Sequence, residues 1–487
     1  MPNKRINFAL ALVAITFGIL AYFSTSHIYF SSPTFGELLS KDYSESCLKP
    51  ESTMKPIWEC YQLPLSGDHE THQSVEFIHE SGYRHHSLSY MGKTGLEVRF
   101  TPDKPGRWCV EGVDQCIEVQ NSRPEYAKGF VSTTGTKWIR SATKEAFVPQ
   151  YLMYDKPDIN SGIKQFVHQH GFTGFHLQNL RDFLENPEYF EAVVLKTYRA
   201  GGVTHFWLWG DEDRGQTPKT YGVDTNHLYH EIAARLSPLP GWTLGYGFDL
   251  YEWAESEEIS KFRKQLNELT SYPHLIGARG RKNEYQEMAK DLDYASWEWH
   301  RPDYSDYRDH IIQAGGRPAF SEDRFRVRDS KIHQHKDYDF TATRRGLWRS
   351  LFAGGVANIW GYRSKEGAYS SVYPNHGAIR CYKDFTDRTY HVDTKVVPPV
   401  LEGAYCLKPK NNSTSISCYL EQVKQANLLI SPEDILDIRY LNTKSCSGGQ
   451  TSLDQIMSTK IEFLQEADWV VTLVLNSQNS DAQPSIR

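Results

Sequence analysis

Between about residues 147 and 361 the chain alternates short apolar runs with longer helix-like stretches. The runs are Phe147–Tyr154, Gly171–Gln178, Val203–Trp209, Trp242–Asp249, His274–Arg279, Asp293–Trp297, Arg317–Glu322 and Val356–Trp360. Strands that alternate with helical patterns predict a parallel sheet joined by crossover helices. The helices carry their own punctuation. Asn186 is placed to cap one, with Pro187 at its first position, and Gly201-Gly202 closes it. Ser305 is the expected cap of a helix running to Gly315-Gly316, and a helix over Arg344–Phe352 stops at Gly354-Gly355. The set predicts an α/β architecture, a (β/α)8 TIM barrel over residues 140–392, close to the ~250 residues typical of that fold. The competing reading is a doubly wound open sheet. It is disfavoured because no Gly-rich phosphate loop follows any of the runs.

Alternating apolar and polar positions replace this pattern on both sides of the barrel. Residues 50–122 show turn clusters at Ser66-Gly67-Asp68 and at Pro102-Asp-Lys-Pro-Gly106 between strand-like stretches such as Leu96–Phe100. They predict a β-sandwich. Residues 398–476 repeat the pattern, with Ser415–Leu420, Ala426–Ile430 and Trp469–Leu475 as strands of a second β-sandwich. A polar tail over 477–487 is expected to be disordered. Residues 1–32 read as an export segment: Lys4-Arg5 precede an apolar run from Phe8 to Phe23. At about sixteen residues, ~24 Å of helix, the run is shorter than the ~30 Å hydrocarbon core. Ser24 and Ser26 suit a cleaved signal peptide, whereas bulky Tyr22, Phe23, Tyr29 and Phe30 suit an uncleaved membrane tether. Both readings stand at this level, and both are periplasmic or extracellular.

Composition narrows the partners. A formal charge of −6 implies no broad basic face, which argues against a nucleic-acid binder. Eight cysteines fit an oxidising compartment. Cys109 and Cys116 bracket a probable hairpin, as do Cys406 and Cys418, and Cys47 and Cys60 share the N-terminal region. Connectivity is not readable from spacing. The chain holds no Cys-x-x-Cys and no paired Cys/His spacing that points to zinc, and His85-His86 reads as a surface pair, so neither metal nor cofactor is expected. Asn411-Asn412-Ser-Thr carries overlapping glycosylation sequons. Aromatics make up 13% of residues, and a surplus of Trp near strand ends suits stacking on the C–H faces of sugars.

Two runs carry the candidate chemistry. Trp242-Thr-Leu-Gly-Tyr-Gly-Phe-Asp249-Leu-Tyr-Glu252-Trp253 and Arg317-Pro-Ala-Phe-Ser-Glu322-Asp-Arg324 each end abruptly in a carboxylate beside aromatics. Carboxylates at the C-terminal ends of barrel strands point into the active site, and two that face each other are the working parts of a glycoside hydrolase. Local alternatives exist for each. Glu322 can be a strand-end residue paired with Arg324, and Asp249 can cap a helix over Leu250–Trp253.

The order of β-sandwich, barrel and β-sandwich resembles the apiosidase-like glycoside hydrolases, which carry a short immunoglobulin-like N-terminal domain and a C-terminal domain described as collagen-binding. The resemblance covers most of the chain after residue 50. Gly106-Arg-Trp108 is similar to the end of that N-terminal domain, and Phe147-Val-Pro-Gln150 to the first barrel strand. Trp242–Asp249 is similar to a fourth strand ending Gly-Gly-Asp, which implies Asp249 as acid/base. Arg317–Glu322 is similar to a seventh strand whose terminal Glu is the nucleophile, which implies that role for Glu322. The chain has Gly-Phe-Asp in place of Gly-Gly-Asp and adds Glu252 three residues on, so Glu252 is a rival acid or a substrate contact. On this reading Arg324 and nearby Trp keep Glu322 ionised, and apolar Phe248 and Trp253 keep Asp249 protonated.

Other strand ends supply candidate sugar contacts: His176, Trp209, Asp211, Arg279, Glu298, Trp299, His300 and Trp360. Asp211–Asp213 reads as a solvated loop rather than a calcium site. Arg324, Arg326 and Arg328 alternate, so an extended segment sets them on one side, and Arg recognises uronate or sulfate bidentately. The expected partner is therefore a poly- or oligosaccharide, and these arginines suit one that carries uronate or sulfate; salt bridges to Asp323 and Asp329 explain them equally well. Two other functions stay open. A degenerate barrel would make a non-catalytic carbohydrate-binding or adhesion protein, and a Tyr or His base would make a polysaccharide lyase.

Overall fold

The structure is a computed structural model that describes residues 46–52, 55–65, 70–154, 158–280, 285–322, 325, 338–361, 376–410, 414–451 and 459–476. The apolar run Phe8–Phe23, residues Arg324, Arg326 and Arg328, the Asn411-Asn412 sequons and the tail lie outside the described residues. Among those described, no helix is long and apolar enough to cross a membrane.

All eight apolar runs become strands of one closed parallel barrel. In chain order they are Gln150–Met153, Gly174–Leu177, Val203–Trp209, Trp242–Gly247, Ile276–Arg279, Tyr294–Trp297, Ala319–Ser321 and Ala357–Trp360. The ring closes where the first strand pairs with the eighth, Tyr151 opposite Ile359. The open-sheet alternative is thereby excluded. Helix punctuation follows the sequence in most places. Asn186 accepts a hydrogen bond from Tyr189 N at 3.3 Å, and Pro187 opens that helix. One cap differs: Asp303, not Ser305, caps helix Tyr304–Gln313, in a reciprocal capping box with Asp306. A carboxylate accepts from the N-terminal amides better than a hydroxyl and also suits the positive end of the helix dipole.

A small three-stranded sheet, Val131–Thr134, Lys137–Arg140 and Ala146–Phe147, covers the N-terminal end of the barrel. Trp138 enters the lumen and packs on Tyr294 at 4.9 Å and Phe320 at 6.1 Å between ring centroids. Arg140 donates to the carbonyls of Gly201 and Gly202, which end a barrel helix. The lumen is therefore plugged from below, which leaves its C-terminal end as the place for a site.

Both flanking domains are antiparallel, and each is one continuous six-stranded sheet rather than two separate ones. The sheets nevertheless fold over their own cores. In the N-terminal domain the central strand Arg84–Gly92 pairs with Ser74–His79 along one half and with Gly95–Phe100 along the other. The two halves meet where Phe77 stacks on Phe100 at 4.2 Å. In the C-terminal domain Phe463 and Trp469 belong to the single strand Lys460–Leu475. Six residues of straight strand would separate them by ~20 Å, yet their rings stack at 4.8 Å. The bend coincides with register shifts against Ser415–Asn427 around Val423, which is how bulges turn a sheet.

All eight cysteines are paired. Cys47–Cys60, Cys109–Cys116 and Cys406–Cys418 are local, whereas Cys381–Cys446 ties the last barrel helix to the C-terminal sheet. That sheet alternates as a two-faced strand must: Cys418 faces its own core while Tyr419 faces Trp348 and Phe352 of barrel helix Phe340–Phe352. Charge seals the same interface. Buried Asp468 accepts from Arg344 at 2.8 Å and from Arg345 at 2.9 and 3.0 Å.

Burial alone would raise the Asp468 carboxyl, but hydrogen bonds from Arg345 and Arg344 outweigh it and hold it below the usual range. A depressed folded-state pKa contributes stability above the unfolded value, lost as pH falls through the folded one. Asp468→Ala is expected to destabilise the protein by ~3–5 kcal/mol at pH 7, because it strands two guanidinium groups at a buried interface. The variant should also lose less stability than wild type on acidification below about pH 4. Urea melts from pH 2.5 to 8 test both.

Candidate active site

The fourth, fifth, sixth and seventh strands deliver four charged side chains to the C-terminal rim. After Gly247 the chain turns on Asp249, which has φ +52°, a left-handed conformation that Asp tolerates better than most residues. Although Asp249 precedes the short helical turn Leu250–Glu252, its side chain caps nothing there. It reaches instead to Nη2 of Arg279, the last residue of the fifth strand. Arg279 Nη1 lies 2.9 Å from Glu298, one residue past the sixth strand, and 3.6 Å from Glu322, one residue past the seventh. Glu322 is anchored by its own amide, which donates to the Trp297 carbonyl at 2.8 Å. Trp207 Nε1 donates to the other Glu322 oxygen at 3.4 Å. One buried guanidinium thus gathers three carboxyl groups from strands that are far apart in sequence.

The two candidate catalytic carboxyls differ in environment. Glu322 is fully shielded from solvent, whereas the Asp249 side chain is 27% exposed. Burial pushes the Glu322 carboxyl up to about 7. Arg279 opposes the rise, as do hydrogen bonds from Ser296 and Trp207, while the Glu298 charge adds to it. Arg279 is itself buried, which lowers its pKa, but the charges of Glu298, Glu322 and Asp249 more than offset this and keep it a cation.

Below this cluster a chain of polar rings fills the lumen. Tyr294 OH donates to the Leu244 carbonyl at 2.8 Å, so the phenol oxygen can only accept from His205 Nε2 at 3.0 Å. Burial depresses His205 to about 3 and leaves it neutral. Its Nδ1 therefore accepts, and His176 Nδ1 donates across 2.7 Å. His176 in turn meets Trp207 edge-on at 4.2 Å. Room for these rings comes from glycine: a Cβ on Gly245 would lie 2.7 Å from Trp207, and one on Gly277 2.0 Å from Tyr294.

The expected sugar contacts fall into three groups. Arg279 and Glu298 converge with Asp249 and Glu322. Trp299 and His300 follow Glu298 on the same loop and are half-buried. His176 is 1% exposed and belongs to the ladder under the site. Trp209 and Trp360 are fully buried: Trp209 packs near Tyr221, and Trp360 donates to Gln150 at 2.8 Å and packs on Phe325. Neither presents a free face to a ligand, because both are packed in the apolar layer between barrel and helices. Asp211 accepts from Asp213 N and pairs with Arg214, the geometry of a solvated turn. Glu252 is exposed in the turn Leu250–Glu252, and Arg279's ion pairs are with Asp249, Glu298 and Glu322. Arg324 lies outside the described residues. Ser296 is not among the expected site residues, and Trp207 is expected only as one of the strand-end tryptophans that suit sugar rings; inward alternation on the sixth and third strands is the signal that places both beside Glu322.

No family model matches the chain, and no curated protein matches it. Solved structures do. A candidate glycoside hydrolase from Bacteroides vulgatus superposes with a TM-score of 0.65 at 11% identity, over 87% of this chain and 100% of its own. A family 5 glycoside hydrolase from the same organism gives 0.56 at 10% identity, over 75% of this chain and 97% of its own. Another glycoside hydrolase gives 0.55 at 11% identity, over 74% and 100%. At these identities the likeness is one of fold: a TIM barrel of the kind glycoside hydrolases use.

Arg279→Met should move Glu322 above its value of about 7, since the guanidinium is the largest influence holding it down. Carbon-13 titration of the Glu carboxyls, read against Glu322→Gln to assign the signal, measures the shift. An unchanged or lower value would contradict the geometry.

Proposed function

We propose that the protein is a glycoside hydrolase of a poly- or oligosaccharide, with Asp249 and Glu322 as its two working carboxyl groups. The observation that carries this reading is their convergence on Arg279 at the open end of the barrel, in unlike environments. Glycoside cleavage needs one protonated carboxyl to release the leaving group and one carboxylate to attack the anomeric carbon or activate water. The environments divide these roles. Glu322, buried and raised to about 7, keeps its proton on a large fraction of molecules at neutral pH and serves as general acid. Asp249, ion-paired with Arg279 and open to solvent, serves as the carboxylate.

A second reading exchanges the roles and keeps Glu322 as nucleophile, as the apiosidase-like resemblance implies. Its supporting observation is depth: Asp249 stands nearer solvent, where a leaving sugar would depart. The sheet, barrel, sheet order agrees with that family. Four disulfides, with Lys4-Arg5 ahead of Phe8–Phe23, agree with export to the periplasm or cell exterior.

A panel of neutral, uronate-bearing and sulfated glycans with reducing-end detection identifies the substrate, and the pH profile then assigns the roles. With Glu322 as acid, kcat/KM falls as pH rises through about 7, because the active form is protonated. With Glu322 as nucleophile, kcat/KM rises through that same pH. Glu322→Gln is expected to lower kcat by at least about 10³-fold in either case while leaving sugar binding intact. In a retaining enzyme, azide on an activated aryl glycoside should give a glycosyl azide of retained configuration from the variant lacking the acid/base, Glu322→Ala in the first reading and Asp249→Ala in the second, and one of inverted configuration from the variant lacking the nucleophile. Glu252→Ala is expected to weaken binding without azide rescue. Binding with no turnover on any glycan would replace both readings with that of a non-catalytic carbohydrate-binding protein.

A further inference from the structure

A second cluster of chemistry-bearing residues lies outside the barrel mouth, where the N-terminal sheet meets a barrel helix. Helix Thr225–Arg235 carries His227 and Glu231 four residues apart, hence on one face. His72, just before strand Ser74–His79, stands opposite them. Its Nε2 is 2.7 Å from Glu231 Oε1, and its ring centroid is 5.6 Å from that of His227. One donor atom from each of the three lies within 4.8 Å of the others.

The backbone that presents His72 is held in an unusual conformation. His72 has φ +63°, a left-handed value uncommon for a residue with a side chain. Ser89, on strand Arg84–Gly92, holds it there. Its carbonyl accepts from His72 N at 2.8 Å, its hydroxyl accepts from Gln73 N at 3.0 Å and donates to the Glu70 carbonyl at 2.5 Å. The turn is thereby fixed with its imidazole against the helix. His230 stands alongside, 5.3 Å from His72 between ring centroids, and its Nδ1 is committed to the Asn226 carbonyl at 2.7 Å.

We propose that His72, His227 and Glu231 form a binding site for a borderline divalent cation, Zn²⁺ in the first instance, which staples the N-terminal sheet to the barrel. Two imidazole nitrogens and one carboxylate oxygen suit Zn²⁺ and its late first-row neighbours rather than Ca²⁺ or Mg²⁺, which take oxygen sets. Bond lengths of ~2.0–2.2 Å in a tetrahedral shell put donor atoms ~3.3 Å apart. The His72–Glu231 contact must therefore open slightly while the wider spacings close. Exposed His227 makes that adjustment by side-chain rotation. The fourth position is left for water or for His230. Arg235 is the competing cation, but its Nη1 sits 3.9 Å from Oε2 of Glu231, which leaves Oε1 to the metal. The site is independent of the hydrolase reading, since none of its residues reaches the barrel mouth.

The test uses the full-length chain, stripped with chelator and titrated with Zn²⁺ against a competing chromophoric indicator. The expected result is one Zn²⁺ per chain with micromolar or tighter affinity, and a melting temperature raised by about 3 °C or more that EDTA reverses. His227→Ala should weaken binding by at least about 10-fold, as should His72→Ala, whereas His86→Ala should bind as wild type. His227 is exposed on a helix capped by Asp224, and Ala favours the helix, so that variant keeps its fold. Absence of stoichiometric Zn²⁺ uptake by wild type overturns the proposal. So does unchanged affinity in the His72→Ala/His227→Ala double variant, which would assign any uptake to other histidines.

Discussion

Arg279 is almost wholly removed from water, and a guanidinium in that position is tolerated only where opposite charge surrounds it. Asp249, Glu298 and Glu322 supply that charge, each from a different strand end. The arrangement constrains the whole upper barrel. The fifth strand must end at Arg279, the fourth must turn at once so that Asp249 can reach it, and the seventh must stop at the depth of Trp297. With three acidic groups around one base, burial falls hardest on Glu322 and raises its carboxyl to about 7. The proposed chemistry thus rests on an electrostatic surplus built into the scaffold.

The layers below the cluster serve its geometry. Trp207 can reach Glu322 only because Gly245 leaves space beside it, and Tyr294 spans the lumen only because Gly277 does. His205, kept neutral by burial, accepts from His176 and donates to the Tyr294 phenol, so the lumen below Arg279 is filled by a hydrogen-bonded polar ladder. Trp138 closes the opposite end, and the site is confined to one mouth. Around the outside, both β domains are joined to barrel helices through buried ion pairs as well as apolar contact. Arg99–Glu191 and Arg199–Glu59 hold the N-terminal side, and Arg344–Asp468 holds the C-terminal side. Such pairs are weak sources of net stability but penalise any other docking geometry, since a misplaced partner leaves a buried charge alone.

The sequence was most informative where one residue's neighbours in space are its neighbours in the chain. Eight apolar runs, each bounded by turns, were legible as barrel strands, and Asn186-Pro187 was legible as a helix start. Errors came where two local solutions compete, as with Ser305 and Asp303, or where a strand-end position stands for a ligand-facing one, as with Trp209 and Trp360. Both tryptophans sit at strand ends in the sequence, yet both are buried in the apolar layer shared with the helices. The two flanking domains read as paired sheets because alternation records only that one face is buried. It does not record whether the opposing layer is a second sheet or the same strand bent back, as at Phe463 and Trp469.

What the sequence determined by itself was therefore the periodic part: strands, helices, their order, and the two carboxyls set at strand ends. What only the tertiary structure decided was which side chains share a volume. Closing the ring set Arg279 between residues 249, 298 and 322 and set His205 against Tyr294. Docking the N-terminal sheet carried His72 to His227 and Glu231, and packing the C-terminal sheet paired Cys381 with Cys446. Periodicity arises from contacts within a turn or a strand, so it is written locally. These juxtapositions depend on strand tilt, ring closure and domain docking, which are properties of the assembled chain, and the raised pKa of Glu322 follows from them because burial exists only after folding.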